Sequence, residues 1–388
     1  MVLNTIAFAV FVISFLTACD LFYGVYRMKR LSSVEFMEDL SGPLVSVIVP
    51  ACNEQEHIGR TIETLLQQSY RNLEIVAVND RSTDATGTLL EELQKKHNRL
   101  TVLHLDHLPA GWMGKSHALQ EGAFRAEGDY LLFTDGDVAM DPSTISRAVY
   151  HMMEKNRDHI TLIFQNSTTG LLLNSFILEA GLGLLQLFRP WRAVDKNSRN
   201  FIGVGAFNLV RRSTYSAVGG HASIRMHPVD DIMLGKRIKR SGYSQECLLG
   251  IDLVKVPWYR NLADMTNGLM KNTMATVNYH LYLVVPLLIA MILFTVMPFW
   301  GMIYCDAPAR YFFAGSVAIR IVLFGYGSLL INISSWWCVP AAIITPYISV
   351  FITVRAAWLN CRDRGIFWRG TYYPLRQLRQ NESLLPWF

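Results

Sequence analysis

The chain has 388 residues, 51% of them hydrophobic and only 17% charged, with a formal net charge of +5. That is too apolar for an ordinary soluble enzyme, and the small basic excess gives no argument for a nucleic-acid partner. Six cysteines without a CxxC pair and ten histidines without HExxH spacing give no support to a disulfide framework or a zinc site.

Residues 1–26 form an apolar stretch broken only by Asp20 and followed at once by RMKR. Basic residues after, rather than before, the apolar run mark an uncleaved transmembrane anchor. They place the following chain on the cytoplasmic face of the inner (plasma) membrane. Residues 27–280 read as one cytoplasmic domain. Within it, short apolar runs (LVSVIVP, EIVAVN, LTVLHL, DYLLFT) alternate with helical patterns near 55–69, 84–97 and 115–126. Strand–helix alternation predicts an α/β fold, a doubly wound and mostly parallel sheet.

Residues 171–188 put Ser175, Glu179 and Gln186 on one helical face with apolar residues opposite. This is the pattern of a helix lying on a membrane surface. Residues 281–304 and 333–354 carry no charge and 311–331 carry only Arg320, so 281–358 reads as a membrane region. The tail, 359–388, is basic and aromatic. With Arg355, its arginines argue for the cytoplasmic side, packed near the mouth of a catalytic site, whereas three crossings would leave it outside. One of the last segments is therefore expected to be re-entrant or interfacial.

Acids recur where strands end. Asp80 follows EIVAVN, Asp135 and Asp137 follow DYLLF, and Asp230 and Asp231 stand before the helical run IMLGKRIKRSGY. Ligands of open α/β sheets bind outside the carboxyl ends of strands, so these acids are expected to share a crevice. In DGD, two acids two residues apart point the same way. A magnesium or manganese ion is held by one or two such carboxylates together with substrate phosphates. In NDRSTDAT, Asp84 suits the first turn of a helix and leaves Asp80 for a ligand. Asp230 and Asp231 suit a helix N-terminus, and equally a general base toward an acceptor hydroxyl. In GWMGK, Lys115 offers a cation for a diphosphate and Trp112 a stacking face; a surface turn is the plainer reading.

The series PACNE, VNDRSTD, PAGWMGKSHAL, FTDGD, GVGAFNLVRRSTYSAVGGH and HPVDDIMLGKRIKRSGY resembles the family 2 inverting glycosyltransferases over residues 44–280. The GWMGK loop and the late WRGTYYPL resemble a membrane-bound subset, which includes hopanoid-associated, carotenoid-modifying and ceramide glycosyltransferases. The resemblance implies a GT-A fold, a nucleotide-diphosphate sugar donor (a UDP-sugar first) and Mg2+ or Mn2+. It implies donor contacts at Pro50, Ala51, Glu54, Asp80, Lys115 and Asp135, metal binding at Asp137, and catalysis at Asp231 beside Asp230. Many relatives carry QxxRW before the membrane. Here the stretch reads WYRNLADMTNGLMKN, so Arg260 or Lys271 is expected to substitute, and the absence favours transfer of a single sugar. A lipid hydroxyl at the cytoplasmic membrane face is the expected acceptor, with polyprenyl phosphate as the alternative. A membrane transporter or non-catalytic binding protein is the reading from another class; it rests only on Arg320, for which the neighbouring spans supply no acid.

Overall fold

The computed structural model describes residues 1–36, 42–259, 261–331 and 338–385. The chain opens with helix α1 (Val2–Arg27) and enters a sheet through β1 (Val45–Ala51), α2 (Ile58–Leu66), β2 (Leu73–Asp80), α3 (Thr86–Lys96), β3 (Leu100–Leu105), α4 (Gly114–Arg125) and β4 (Tyr130–Phe133). Every residue of β1 is buried, the expected state of a strand covered on both faces. In α2, Ile58, Ile62 and Leu65 recur at helical spacing and form its buried face.

A short strand β5 (Ala139–Met140), helix α5 (Thr144–Glu154), β6 (His159–Ile163), β7 (Gln165–Asn166) and helix α6 (Leu171–Phe188) follow. Then come β8 (Asn208–Arg211), α7 (Arg212–Ala217), α8 (Asp230–Arg240), β9 (Gln245–Leu249), β10 (Val254–Val256) and α9 (Leu262–Thr276). Seven strands form the main sheet in the order β3-β2-β1-β4-β8-β6-β9. Its ladders are parallel except where β8 lies antiparallel between β4 and β6. The chain runs outward from β1 to β3 and returns to the other side of β1 as β4. That reversal is the switch point at which such sheets open a crevice.

The C-terminal part is helical: α10 (Leu281–Met291), α11 (Met297–Tyr304), α12 (Ala309–Leu330) and α13 (Cys338–Asp363). The hairpin β11 (Gly365–Trp368) and β12 (Thr371–Pro374) and the short helix α14 (Leu375–Leu378) follow. Among the described residues, five helical stretches are long and apolar enough to cross a membrane: Val2–Arg27, Leu171–Arg192, Leu281–Tyr304, Ala309–Leu330 and Pro340–Asp363. The first residues of the expected span 333–354 lie outside the described residues. Its helix continues past 354 to Asp363, so the start of the expected tail is helical.

These helices pack on one another through aromatic side chains, with Phe8 edge-on to Phe312 at 5.2 Å and Phe22 edge-on to Tyr326 at 4.7 Å. Two of the three residues on the polar face of α6 have protein partners, while Gln186 is exposed. Ser175 is fully buried and donates to the Leu171 carbonyl at 2.8 Å. Glu179 pairs with Arg320 of α12 and accepts from Thr345 of α13 at 2.9 Å. Arg320 therefore has an acid after all. The partner lies 141 residues earlier in the chain, where a reading of neighbouring spans does not reach. Asp20 is likewise paired, with Arg189 at 3.2 Å.

Candidate active site at the strand ends

The loops after β1 and β2 are laced together by side chains. Asn53, with φ +56°, donates its backbone N–H to Ser82 Oγ at 3.0 Å, and its Oδ1 accepts from the Thr83 N–H at 2.8 Å. Asp84 Oδ1 accepts from the Thr86 N–H at 3.0 Å and so closes the start of α3. Asp80 is left at the end of β2, buried, and held bidentately by Arg81 at 2.7 and 3.0 Å.

Beyond β4, Thr134 Oγ1 donates to the Ala206 carbonyl at 2.8 Å, and Thr61 Oγ1 donates to the Gly136 carbonyl at 2.9 Å. These two bonds fix the backbone on each side of Asp135. From the other direction, α8 brings its N-terminal acids against the 203–205 backbone. Asp231 Oδ2 accepts from the Gly205 N–H at 2.8 Å. A Cβ on Gly205 would stand 2.5 Å from Asp135 Oδ2 and 3.4 Å from Asp231 Oδ2, so only glycine lets the two acids flank that turn. Lys115, in the first turn of α4, spans the groups: its Nζ is 2.7 Å from Asp135 and 3.5 Å from Asp230.

The acids differ in their electrostatics. Burial, then Asp135 and Glu54, push the Asp137 carboxyl up to about 7. Burial, then Asp230, push Asp231 up to about 6. Burial acts against ionised Asp135 too, but Lys115 outweighs it and keeps its pKa below the usual carboxylate range. Burial also opposes the charge on Lys115, where Asp135, Asp230 and Asp231 prevail and raise its pKa. For Lys271 burial wins, with Lys115 adding to it, and the pKa falls to about 8.

All these groups line a single cavity of about 400 Å³. Pro50, Ala51, Glu54 and Asp80 come from the first two strand ends, and Asp135 and Asp137 from the third. Asp230, Asp231, Lys115 and Lys271 complete its polar side. The rest of the lining is largely apolar, with Leu178, Leu182 and Leu185 from α6 and Leu330 from α12. Trp112 is placed elsewhere. Its neighbour Met113 lines the cavity, while the Trp112 ring packs edge-on to His117 at 5.5 Å. Arg260 lies outside the described residues. The tail arginines were expected near the mouth, but Arg369, on the tail hairpin, was not singled out as a site residue, and it also lines the cavity. Its signal was the dipeptide Arg-Gly between alternating aromatics, a hairpin pattern.

Residues 46–219 match the family model described as glycosyl transferase family 2. A 4,4'-diaponeurosporenoate glycosyltransferase of Staphylococcus haemolyticus is 26% identical over 58% of this chain and 60% of its own length. An uncharacterized glycosyltransferase of Haemophilus influenzae is 39% identical over 31% of this chain and 35% of its own. The chain thus spans less than two thirds of either relative. Among solved structures, a mannosyltransferase from Pyrobaculum calidifontis, in complex with GDP-Man and Mn2+, superposes with a TM-score of 0.56. It is 18% identical, with 93% of this chain and 99% of that one covered, and the likeness is one of fold, the GT-A arrangement. Residues 46–219, from β1 to α7, thus carry the match to the glycosyl transferase family 2 model, on a doubly wound sheet with acids at its strand ends.

Proposed function

We propose that the protein is a membrane-bound, inverting glycosyltransferase. It moves one sugar from a nucleotide-diphosphate donor to the hydroxyl of a membrane lipid at the cytoplasmic face. The observation that carries this reading is one cavity with two kinds of lining, acids with Lys115 on the polar side and leucines from two apolar helices on the other. A sugar nucleotide suits the first side, and an amphiphile that keeps its chain among the helices suits the second.

The donor set fits a hard divalent cation such as Mg2+ or Mn2+. Asp135 and Asp137 offer only oxygen, and the upward push on Asp137, from burial first and then from Asp135 and Glu54, is one that a cation would relieve. Among the described residues no group of three ligands forms a closed cage, so donor phosphates would complete the shell. When bound, the ion would offset charge on the departing diphosphate. Pro50, Ala51, Glu54 and Asp80 are assigned to the nucleotide side, Lys115 and Asp135 to the diphosphate.

Asp231 is assigned as the base and Asp230 as its neighbour and the second partner of Lys115. As the acceptor oxygen bonds to the anomeric carbon, its proton passes to Asp231, and the bond to the diphosphate breaks with its electron pair. The Gly205 N–H at 2.8 Å holds the Asp231 carboxylate in place. Attack from the side opposite the leaving group inverts the anomeric centre.

The tail bears on topology. Asn381 donates to the Met226 carbonyl at 2.8 Å, and Arg237 pairs with Glu382 at 3.2 Å. A tail that docks on the catalytic domain stands on the domain's side of the membrane. We therefore assign an even number of crossings between α9 and the hairpin, and the tail to the cytoplasm. Incubating purified protein with a panel of nucleotide sugars and total membrane lipid, read by mass spectrometry, tests the function. A lipid gaining one sugar mass is expected; release of free sugar alone would refute the lipid acceptor.

A further inference from the structure

The end of the chain enters the site. After α13, strands β11 and β12 pair in register from Gly365↔Pro374 to Trp368↔Thr371. Only Arg369 and Gly370 are left to make the turn. Both are left-handed, with φ +45° and +78°, as two-residue hairpin turns of the primed type require. Asparagine or glycine would be the ordinary choice at the first of these positions. An arginine there places a guanidinium at the very tip.

The tip is anchored on the donor side of the cavity. Arg369 Nη2 donates to Glu54 Oε1 at 2.8 Å and Nη1 to the Cys52 carbonyl at 3.2 Å, both in the loop after β1. Behind it, the Lys271 ammonium sits 3.9 Å from the centre of the Trp368 ring. The Gly114 N–H donates to Tyr373 Oη at 3.3 Å, next to Lys115. The hairpin therefore touches α4, α9 and the β1 loop together. The Arg369 side chain still keeps 46% of its surface open, toward the cavity it lines.

The charge balance asks for such a group. Glu54, Asp80, Asp135, Asp137, Asp230 and Asp231 line the cavity, and among its described residues the ammonium and guanidinium groups facing them are Lys115, Lys271 and Arg369. Lys115 is engaged by two acids, at 2.7 and 3.5 Å. Lys271 is half-buried against Trp368, and burial, with Lys115 adding to it, lowers its pKa to about 8. Arg369 is always charged, is partly open, and carries a planar fork that matches two phosphate oxygens.

We propose that Arg369 is a diphosphate-binding residue, its guanidinium moving from Glu54 to the donor's phosphate oxygens as the nucleotide sugar binds. This rests on the donor reading given above. As the bond from the anomeric carbon to the diphosphate oxygen breaks, the electron pair stays on that oxygen. The Arg369 N–H groups hydrogen-bond it without giving up a proton. The C-terminal hairpin is on this account part of the active site, and it links the last membrane helix to occupancy of the donor site.

The test titrates UDP and GDP, each with Mn2+, into the full-length wild type, Arg369→Ala and Arg369→Lys by calorimetry. One of the two nucleotides is expected to bind wild type. Its affinity should fall by ~10- to 100-fold in Arg369→Ala, the scale of a charged hydrogen-bonding pair, with Arg369→Lys in between. Free guanidinium ion should restore part of the turnover of Arg369→Ala while leaving wild type unchanged, which a merely structural role for the hairpin would not produce. If Arg369→Ala fails to fold, Arg369→Lys carries the test, since it keeps charge and hairpin but loses the fork. Wild-type affinity in both variants would overturn the assignment while leaving the donor reading intact. A wild type that binds neither nucleotide would overturn both.

Discussion

The two sides of the cavity are built in different ways. The polar side is assembled from short segments at the ends of β1, β2 and β4 and the start of α8. Each is held by local bonds such as Asn53–Thr83 at 2.8 Å and Asp231–Gly205 at 2.8 Å. The apolar side comes from α6 and α12, which are far apart in sequence and are joined by the pair Glu179–Arg320. Charge on the first side is placed to within a bond length. The second offers area and little direction. A donor with fixed phosphates suits the former, and a lipid chain of variable shape suits the latter.

Substitutions on the polar side should therefore act on chemistry, and those on the apolar side on choice of acceptor. The largest effect is expected from Asp137→Ala, or from chelation of divalent ions. Transfer should fall below detection while circular dichroism stays unchanged, and full activity in chelator would remove the metal from the account. Next comes Asp231→Asn, with a loss of at least ~100-fold in turnover, the usual scale for a general base. Nucleotide affinity should hold, because the donor contacts lie on other strand ends. Unchanged turnover would free Asp231 from its role.

The same residue sets a pH limb. Its carboxyl, pushed up to about 6, must be ionised to take the acceptor proton. Turnover should thus be flat above that pH and fall about tenfold per unit below it. Asp231→Asn should lose the limb, and a limb that survives the substitution belongs to another group. The smallest effect, and the sharpest for the comparison, is expected from Gly181→Leu. Gly181 lines the cavity, and a Cβ there meets nothing within 4 Å, so the larger side chain would fill the apolar side. Transfer to membrane lipid should drop about tenfold, the scale of overpacking a site. A short-chain soluble acceptor should be used as before, and an equal loss with both acceptors would dissolve the distinction.

The contrast also explains what could be read in advance. The positions of Asp80, Asp135 and Asp137 were legible because each lies at or within a few residues of the end of a strand whose apolar run shows in the sequence. Topology then brings strand ends together without further information. Trp112 and Met113 show the limit: both sit in one loop, and which of them turns inward depends on how α4 begins, at Gly114. Arg369 reaches Glu54 across 315 residues, so no local pattern reports the contact, only the hairpin that makes it. The polar face of α6 was visible, but not that Arg320 and Thr345 cover Glu179, since that depends on how three helices assemble.

The central claim is that one cavity holds a sugar nucleotide on its acidic side and a lipid hydroxyl on its apolar side, for direct displacement. Nuclear magnetic resonance of the isolated lipid product tests it most directly, by reading the anomeric configuration against that of the donor. The account predicts a single added sugar whose configuration is opposite to the donor's. A retained configuration, or a chain of several sugars on one acceptor, would contradict it.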